Sequence, residues 1–529
     1  MTSESRPREE QFVLSVDLGT SGLKVGLVSL VGRIVWFDHH QLRTRRTGNS
    51  VAVQDAEEWW QLVVAASRRG LATSSIDNRQ VVAVCVTGQW SSTVPVDSSG
   101  SPVGDCMMWM DTRGGPMVRR VIGDASGGVD SDAVSLWRRH TGMAPSTSGS
   151  GAFGNLMFLC HGDSEVARRA RWFLEPVDYL SMRFTGVASA SSVSMMGSLL
   201  FDFGASKFGT YDQELLERSG IGEEKLPPLT PFGSIIGEVQ ETVASEIGLM
   251  KGTLVLTGLP DLHSAIVGTG SIGDYEPYVA LSTTSWISCV VDDRRLTSST
   301  PMATVPGLFP DRYLIVNNQN NAARCLEWLC DSIISPNDGL FVEPGRAGIE
   351  QLLDLAADVD AGSGDVIFTP WLAGERPPID NDDARAGFHN LSLSTSRAHL
   401  VRAVLEGVAY NSRLLFEDVE RFTERRLEPI RIIGGGAQSM LWCQIMADVL
   451  NRKVEQVSQP LLASLRGAAI FTGMMLGQVR QDEVRHLVEV DREFVPDQRN
   501  RKVYDRLFYE FPLLHEAQSE MFARLNRDK

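Results

Sequence analysis

The chain has 529 residues, 43% hydrophobic and 22% charged, the composition of a soluble globular protein long enough for two large domains. A formal net charge of −16 argues against nucleic acid or an anionic membrane as the main partner, and any phosphate must be held by local donors. A polar first decapeptide, MTSESRPREE, and the lack of a long apolar run predict neither a secretory leader nor a bilayer span, hence a cytoplasmic protein. The seven cysteines are scattered with no C-x-x-C, so free thiols are expected, and the nine histidines show no zinc-ligand spacing.

In chain order, residues 12–37 read as strand–turn–strand and 55–72 as an amphipathic helix beginning near Asp55. Val81 to Thr87 is a buried-strand candidate ending at Gly88-Gln-Trp-Ser-Ser92. Residues 141–153 form a small-residue loop, and Phe208 to Pro231 mixes helix with a Pro-rich turn. A second block of strands opens at Thr253–Leu259 and continues over Tyr278–Val291, placing a domain boundary near 250–256. Its hydroxyl-rich turn, Ser282-Thr-Thr-Ser285, echoes the N-terminal hairpin, as two related lobes would. Helical spacing marks Leu400–Val408 after Ser394-Thr-Ser396, Leu441–Leu450 after Ser439, and Val503–Phe522.

Four segments bear on chemistry. In Phe12–Leu30, apolar runs flank Asp17-Leu-Gly-Thr-Ser-Gly-Leu-Lys24, a hairpin tip with a carboxylate, two hydroxyls, two glycines and one of only seven lysines. Backbone N–H groups at such a turn hold phosphate oxygens, and a carboxylate beside them holds Mg²⁺ directly or through water. Two G-x-G-x-x-G matches, Gly149–Gly154 and Gly268–Gly273, lack the strand-to-helix setting of a dinucleotide site, and no lysine follows a glycine, so there is no Walker A loop. Asp261, at the end of an apolar strand and the start of a helical segment, is either a helix cap or a general base for a substrate hydroxyl. Ile430-Arg-Ile-Ile-Gly434-Gly-Gly-Ala-Gln-Ser439 runs from strand through three glycines into a helix, and its bare backbone can receive a flat ring or a phosphate.

With Thr87-Gly-Gln-Trp90, Trp109-Met-Asp-Thr-Arg113, Pro370–Pro378, Asp383–Phe388 and Val401–Val408, these segments resemble, in order over residues 12–475, the FGGY family of carbohydrate kinases, most closely the xylulose kinases. The resemblance implies an α/β, two-lobed fold of the actin/hexokinase/Hsp70 type (duplicated ribonuclease H-like), with ATP and sugar in an interlobe cleft that closes on binding. It implies a flexible tail over 1–11, an N-terminal domain over 12–254, a C-terminal domain over 255–490 and a helical extension over 491–529. By the same resemblance Asp17 positions Mg²⁺ through water, and Thr20, Ser21 and Lys24 surround the transferring phosphate. Thr283 and Thr284 form a second phosphate loop, and Gly435, Gly436 and Ser439 hold the adenosine end. Gln89, Trp90 and Asp111 line the sugar pocket, and Asp261 is the base on the sugar hydroxyl.

Three departures mark this chain. Trp90-Ser91 stands where xylulose kinases usually carry Met-His, Leu262 follows Asp261 where asparagine is usual, and Ser282-Thr-Thr-Ser285 replaces a Gly-Thr-Ser loop. The expected activity is ATP-dependent phosphorylation of a ketopentose such as xylulose or ribulose, by a possible homodimer. The alternatives are another polyol or short sugar as acceptor, or a catalytically quiet sugar- and ATP-binding regulator.

Overall fold

Apolar, β-branched runs build two sheets, each the core of its own unit. The computed structural model describes residues 10–48, 50–123, 130–203, 209–292, 302–334 and 348–526, so most of the expected 1–11 tail and Phe208 lie outside the described residues. Unit 1 comprises the chain to Gly270 with residues 464–487, and unit 2 comprises 271–463 with the chain from Val488 onward.

In unit 1, Phe12–Leu18 (β1), Gly22–Ser29 (β2) and Ile34–Gln41 (β3) form an antiparallel meander. Every residue of β1 is buried, as a near-continuous apolar run covered on both faces requires. Ala56–Thr73 (α1) starts where the sequence placed it: the Asp55 carboxylate accepts the Glu57 N–H, and α1 packs on β2. Val81–Gly88 (β4) lies parallel to β1, with Phe12 opposite Val81 and Leu18 opposite Gly88. The helix Pro176–Thr185 (α2) precedes Ile235–Glu238 (β5), Leu254–Leu256 (β6) and Leu259–Pro260 (β7). The sheet order is β5-β6-β4-β1-β2-β3, with β7 beside β4, and Asp261–Thr269 (α3) leaves directly from β7.

Unit 2 repeats the plan. Tyr278–Leu281 (β8) and Ser285–Ser288 (β9) form a hairpin, and Val290–Val291 (β10) and Ala303–Pro306 (β11) both pair with Tyr313–Gln319 (β12). The long helix Arg397–Thr423 (α4) leads to Ile430–Ile433 (β13), Met440–Leu450 (α5) and Val454–Val457 (β14). In both sheets two parallel strands extend the edge of an antiparallel meander: β3-β2-β1-β4-β6 in one and β12-β9-β8-β13-β14 in the other. This is the duplicated α/β architecture expected from the sequence.

The chain then returns to unit 1. In the helix Ala463–Met475 (α6), a Cβ on Gly467 would lie 1.8 Å from the Ser264 carbonyl oxygen, so α6 packs backbone to backbone against α3. Val490–Phe494 (β15) and Arg501–Asn526 (α7) close unit 2, and α7 covers the helix expected over 503–522. All seven cysteines are free, and all but Cys160 are buried. No helix among the described residues is long and apolar enough to cross a membrane.

Candidate active site

Three parallel strands of unit 1 end together, because Leu18 of β1 and Pro260 of β7 both lie opposite Gly88 of β4. Asp17, Gln89 and Asp261 therefore gather at the carboxyl ends of neighbouring strands, the edge where open α/β sheets hold ligands. Gly88 makes the convergence possible. A Cβ there would sit 2.4 Å from the Leu18 carbonyl oxygen, the same oxygen that accepts the Gln89 N–H at 2.7 Å.

The hairpin tip is ordered by its own groups. Asp17 pairs with Lys24 across the β1–β2 ladder, and Lys24 Nζ lies 2.9 Å from Asp17 Oδ2 with both side chains largely buried. The Gly19 N–H donates to the Gly22 carbonyl, closing the turn. Thr20 Oγ1 donates to Gln89 Oε1 at 3.3 Å and accepts the indole N–H of Trp109 at 3.2 Å. Ser21 faces Leu42, whose N–H bonds its carbonyl oxygen. Among the described residues Gln89 Nε2 has no hydrogen-bond partner although Gln89 is only 3% exposed, which leaves a buried donor for a ligand. Trp90 is half-buried beside it.

Asp261 is the first residue of α3 rather than its cap. Pro260 takes the cap position, and Asp261 Oδ1 accepts the N–H of Leu262 at 2.8 Å. Burial, reinforced by the negative charge of Asp17, raises the Asp261 carboxyl to about 7, against the opposing pull of the Leu262 amide and Lys24. A carboxyl poised near neutrality at a strand end is suited to taking a proton from an alcohol. Behind it, Thr87 Oγ1 donates to Ser264 Oγ at 2.7 Å and Ser264 Oγ to the Asp261 carbonyl at 3.0 Å, tying β4 to the first turn of α3.

Asp111 is fully buried and heavily engaged. Its Oδ2 accepts the Ala52 N–H at 2.9 Å, and the Arg113 guanidinium forks onto both oxygens at 2.9–3.1 Å. Asp111 thereby braces Arg113, which stands over the Phe158 ring.

In unit 2 the Ser282–Ser285 turn joins β8 to β9, and the strand-to-helix turn after β13 lies against it. The Thr283 carbonyl accepts the Ala322 N–H and the Ser282 carbonyl the Ala323 N–H, which fixes the loop that contains Thr283 and Thr284. The three glycines differ. A Cβ on Gly434 (φ +96°) would lie 2.5 Å from the Leu281 oxygen, and one on Gly436 would lie 2.6 Å from the Leu281 side chain, so both are required by packing. A Cβ on Gly435 would meet nothing within 4 Å, leaving its face open. Ser439 caps α5, its Oγ accepting the Trp442 N–H at 3.2 Å.

Sequence reasoning passed over Glu175. It is 1% exposed, precedes α2, and accepts the Ser92 N–H at 3.2 Å. Its one sequence signal is a lone acid inside the apolar stretch Trp172-Phe-Leu-Glu-Pro-Val177, an ordinary position for a helix cap.

Two family models match the chain: the FGGY carbohydrate kinase N-terminal domain over residues 12–268 and the C-terminal domain over 284–476. A xylulose kinase of Staphylococcus epidermidis is 25% identical over 521 residues, covering 98% of this chain and 99% of that protein. A gluconokinase of Bacillus subtilis is 24% identical over 507 residues, covering 94% of each. Among solved structures, gluconate kinase from Lactobacillus acidophilus superposes with a TM-score of 0.82 at 21% identity, covering 98% of this chain and all of that one.

Proposed function

We infer the reaction from the premise that the chain belongs to the FGGY family of carbohydrate kinases. It is a carbohydrate kinase of the two-domain α/β kinase fold, and kinases of this family use ATP. The acceptor we propose is an uncharged ketopentose, xylulose or ribulose.

The observation that carries this choice over a sugar acid is the charge around Gln89 and Asp261. The negative charge of Asp17, itself paired with Lys24 at 2.9 Å, acts on Asp261. A substrate carboxylate would oppose the charge that Asp261 must carry to act as the base, whereas a neutral polyhydroxy chain can use the Gln89 donor and the Asp261 acceptor. In this reading Asp261 takes the proton of the attacking hydroxyl, and Lys24 with the Thr20 and Ser21 hydroxyls steadies the phosphoryl oxygens. Thr283 and Thr284 cradle the nucleotide phosphates, and the open face of Gly435 with Gly436 and Ser439 takes the adenosine end. The Asp17 carboxylate, which Lys24 engages through Oδ2, would hold a Mg²⁺ through water, with nucleotide phosphates completing the oxygen coordination this ion favours. When bound, Mg²⁺ neutralises phosphate charge during transfer.

A panel of D-xylulose, D-ribulose, erythritol, glycerol and gluconate, followed by ADP release, tests the choice. We expect kcat/KM for one ketopentose to exceed that for gluconate by about a hundredfold or more, the effect of roughly 3 kcal/mol of unpaired charge. Preference for gluconate would refute it. The quiet-regulator alternative is disfavoured by Asp261, which a binding protein has no need to hold near neutrality.

The nucleotide assignment has its own check. Gly435→Ala should leave the melting temperature unchanged but raise the KM for ATP at least fivefold, because the new methyl meets only ligand. Gly434→Ala should lower the melting temperature, because it strikes the Leu281 oxygen.

The reading includes a homodimer. Along α7, Tyr509, Leu513, Met521 and Leu525 are exposed at multiples of four residues, and a two-fold axis at Ala517 would set Glu510 against Arg524 of the second copy. Light scattering at twice 58.1 kDa is the expected result, and a 58.1 kDa particle removes this part of the reading.

A further inference from the structure

The turn that bears Gln89 and Trp90 adopts a conformation its own residues do not favour. Ser91 has φ +65°, in the left-handed region that a side chain with a Cβ avoids. Several contacts hold it there. Ser91 Oγ accepts the Ala152 N–H at 3.0 Å, and Ser92 Oγ accepts the Trp109 N–H at 2.9 Å. Trp109 in turn reaches Thr20, and Thr20 reaches Gln89. The seat is also narrow. A Cβ on Gly197 would lie 2.8 Å from Ser91 Oγ and one on Gly151 3.1 Å from it, so a small residue at 91 suits the space.

Beneath the turn lies Glu175, whose Oε2 accepts the Ser92 N–H at 3.2 Å, while its buried Oε1 has no hydrogen-bond partner among the described residues. Asp178, one turn along α2 and equally buried, presses toward Gly258, three residues before Asp261: a Cβ on Gly258 would lie 2.9 Å from Asp178 Oδ1. The first turn of α2 thus touches both segments that carry the proposed sugar-binding groups.

We propose that Glu175 is the positioning residue for sugar selectivity: its buried carboxyl clamps the amide of Ser92, next to the left-handed Ser91, and so fixes the directions of Gln89 and Trp90. The proposal rests on the reading that those two residues meet the sugar. Burial above all, with the neighbouring Asp178 adding, keeps the Glu175 carboxyl protonated well above the usual carboxylate range. A neutral amide of the same shape can therefore replace it.

The test compares wild type with Glu175→Gln and Glu175→Ala by amide hydrogen exchange over residues 86–94 and by KM for sugar and for ATP. Glu175→Ala should speed exchange at Ser92 at least tenfold. It should raise the sugar KM at least tenfold while leaving the ATP KM within twofold. Glu175→Gln should stay within threefold of wild type on every readout, a rescue that mere loss of packing would not give.

Wild-type exchange at Ser92 in a folded Glu175→Ala protein overturns the clamp. Faster exchange with an unchanged sugar KM, or with sugar and ATP KM rising together, overturns the role in selectivity. Should Glu175→Ala not fold, wild-type-like Gln behaviour supports the clamp, and a Gln variant with a free Ser92 amide refutes it. The exchange data decide the clamp even if wild type phosphorylates none of the sugars tried, a result that would count against the reading of the reaction alone.

Discussion

Asp261→Asn is expected to lower kcat by about 10²- to 10⁴-fold, the usual span for a positioned general base, with the fold intact. Asparagine keeps the size of the side chain and the oxygen that accepts the Leu262 N–H, but it cannot take a proton. The wild-type profile should carry the signature of this group. Only ionised Asp261 is competent, so kcat/KM should rise with pH through about 7 and level off above it, and the Asn variant should lack that limb. The sign of the stability effect is opposite. A carboxyl raised in the folded state from 3.8 to about 7 favours folding in its protonated form, so its contribution is full below 3.8 and is lost as pH rises through 7. At pH 8 the Asn variant should therefore melt at or above the wild-type temperature. Steady-state kinetics over pH 5.5–9 with calorimetry separates these effects. Turnover retained in the Asn variant would remove Asp261 from the base role.

Glu406→Ala is expected to destabilise unit 2 by about 3–5 kcal/mol, the cost of leaving a buried partner charge unpaired. Glu406 is fully buried in α4 and accepts four hydrogen bonds: Arg402 Nε at 2.8 Å, the Gly362 N–H at 3.0 Å, Ser363 Oγ at 2.7 Å and the Tyr504 hydroxyl at 2.9 Å. Its removal leaves the Arg402 guanidinium, whose side chain is 8% exposed, without its counter-charge and cuts one of two bonds between α4 and Tyr504 of α7, that from Arg402 Nη2 at 3.2 Å remaining. Because two units need not unfold together, the relevant readout is the transition assigned to unit 2 in denaturant, with protease sensitivity of α7 as a second probe. Glu406→Gln, which keeps the size and one acceptor, should cost less. Equal stability of Glu406→Ala and wild type would show that this buried carboxylate does not hold α7 on unit 2.

Local chemistry was legible where it is local. Asp55 before an apolar stripe and Ser439 before another each cap the helix that follows, and Asp17 sits at the tip of the hairpin its flanking runs predict. Convergence was not legible. That Gln89 meets Thr20 depends on β4 lying parallel to β1, a pairing between segments some 70 residues apart that no local pattern encodes. The return of α6 to unit 1 escaped for the same reason: its apolar spacing announces burial but not against which partner. Asp111 illustrates a different loss. An acid two residues before an arginine can bind it, and here the bidentate pair engages both Asp111 oxygens, a contact that the motif alone does not display. Glu175 carried no motif, and its significance appears only once Ser91 is seen in the left-handed region above it.

Phosphoryl transfer from ATP to a neutral sugar is tested most directly by ³¹P NMR of the purified protein with Mg·ATP and a ketopentose. The account predicts that the γ-phosphate signal of ATP disappears as ADP and a sugar phosphomonoester appear in equal amounts. Unchanged ATP with both xylulose and ribulose, in protein shown to bind nucleotide, or a phosphomonoester formed only when gluconate is supplied, would contradict it.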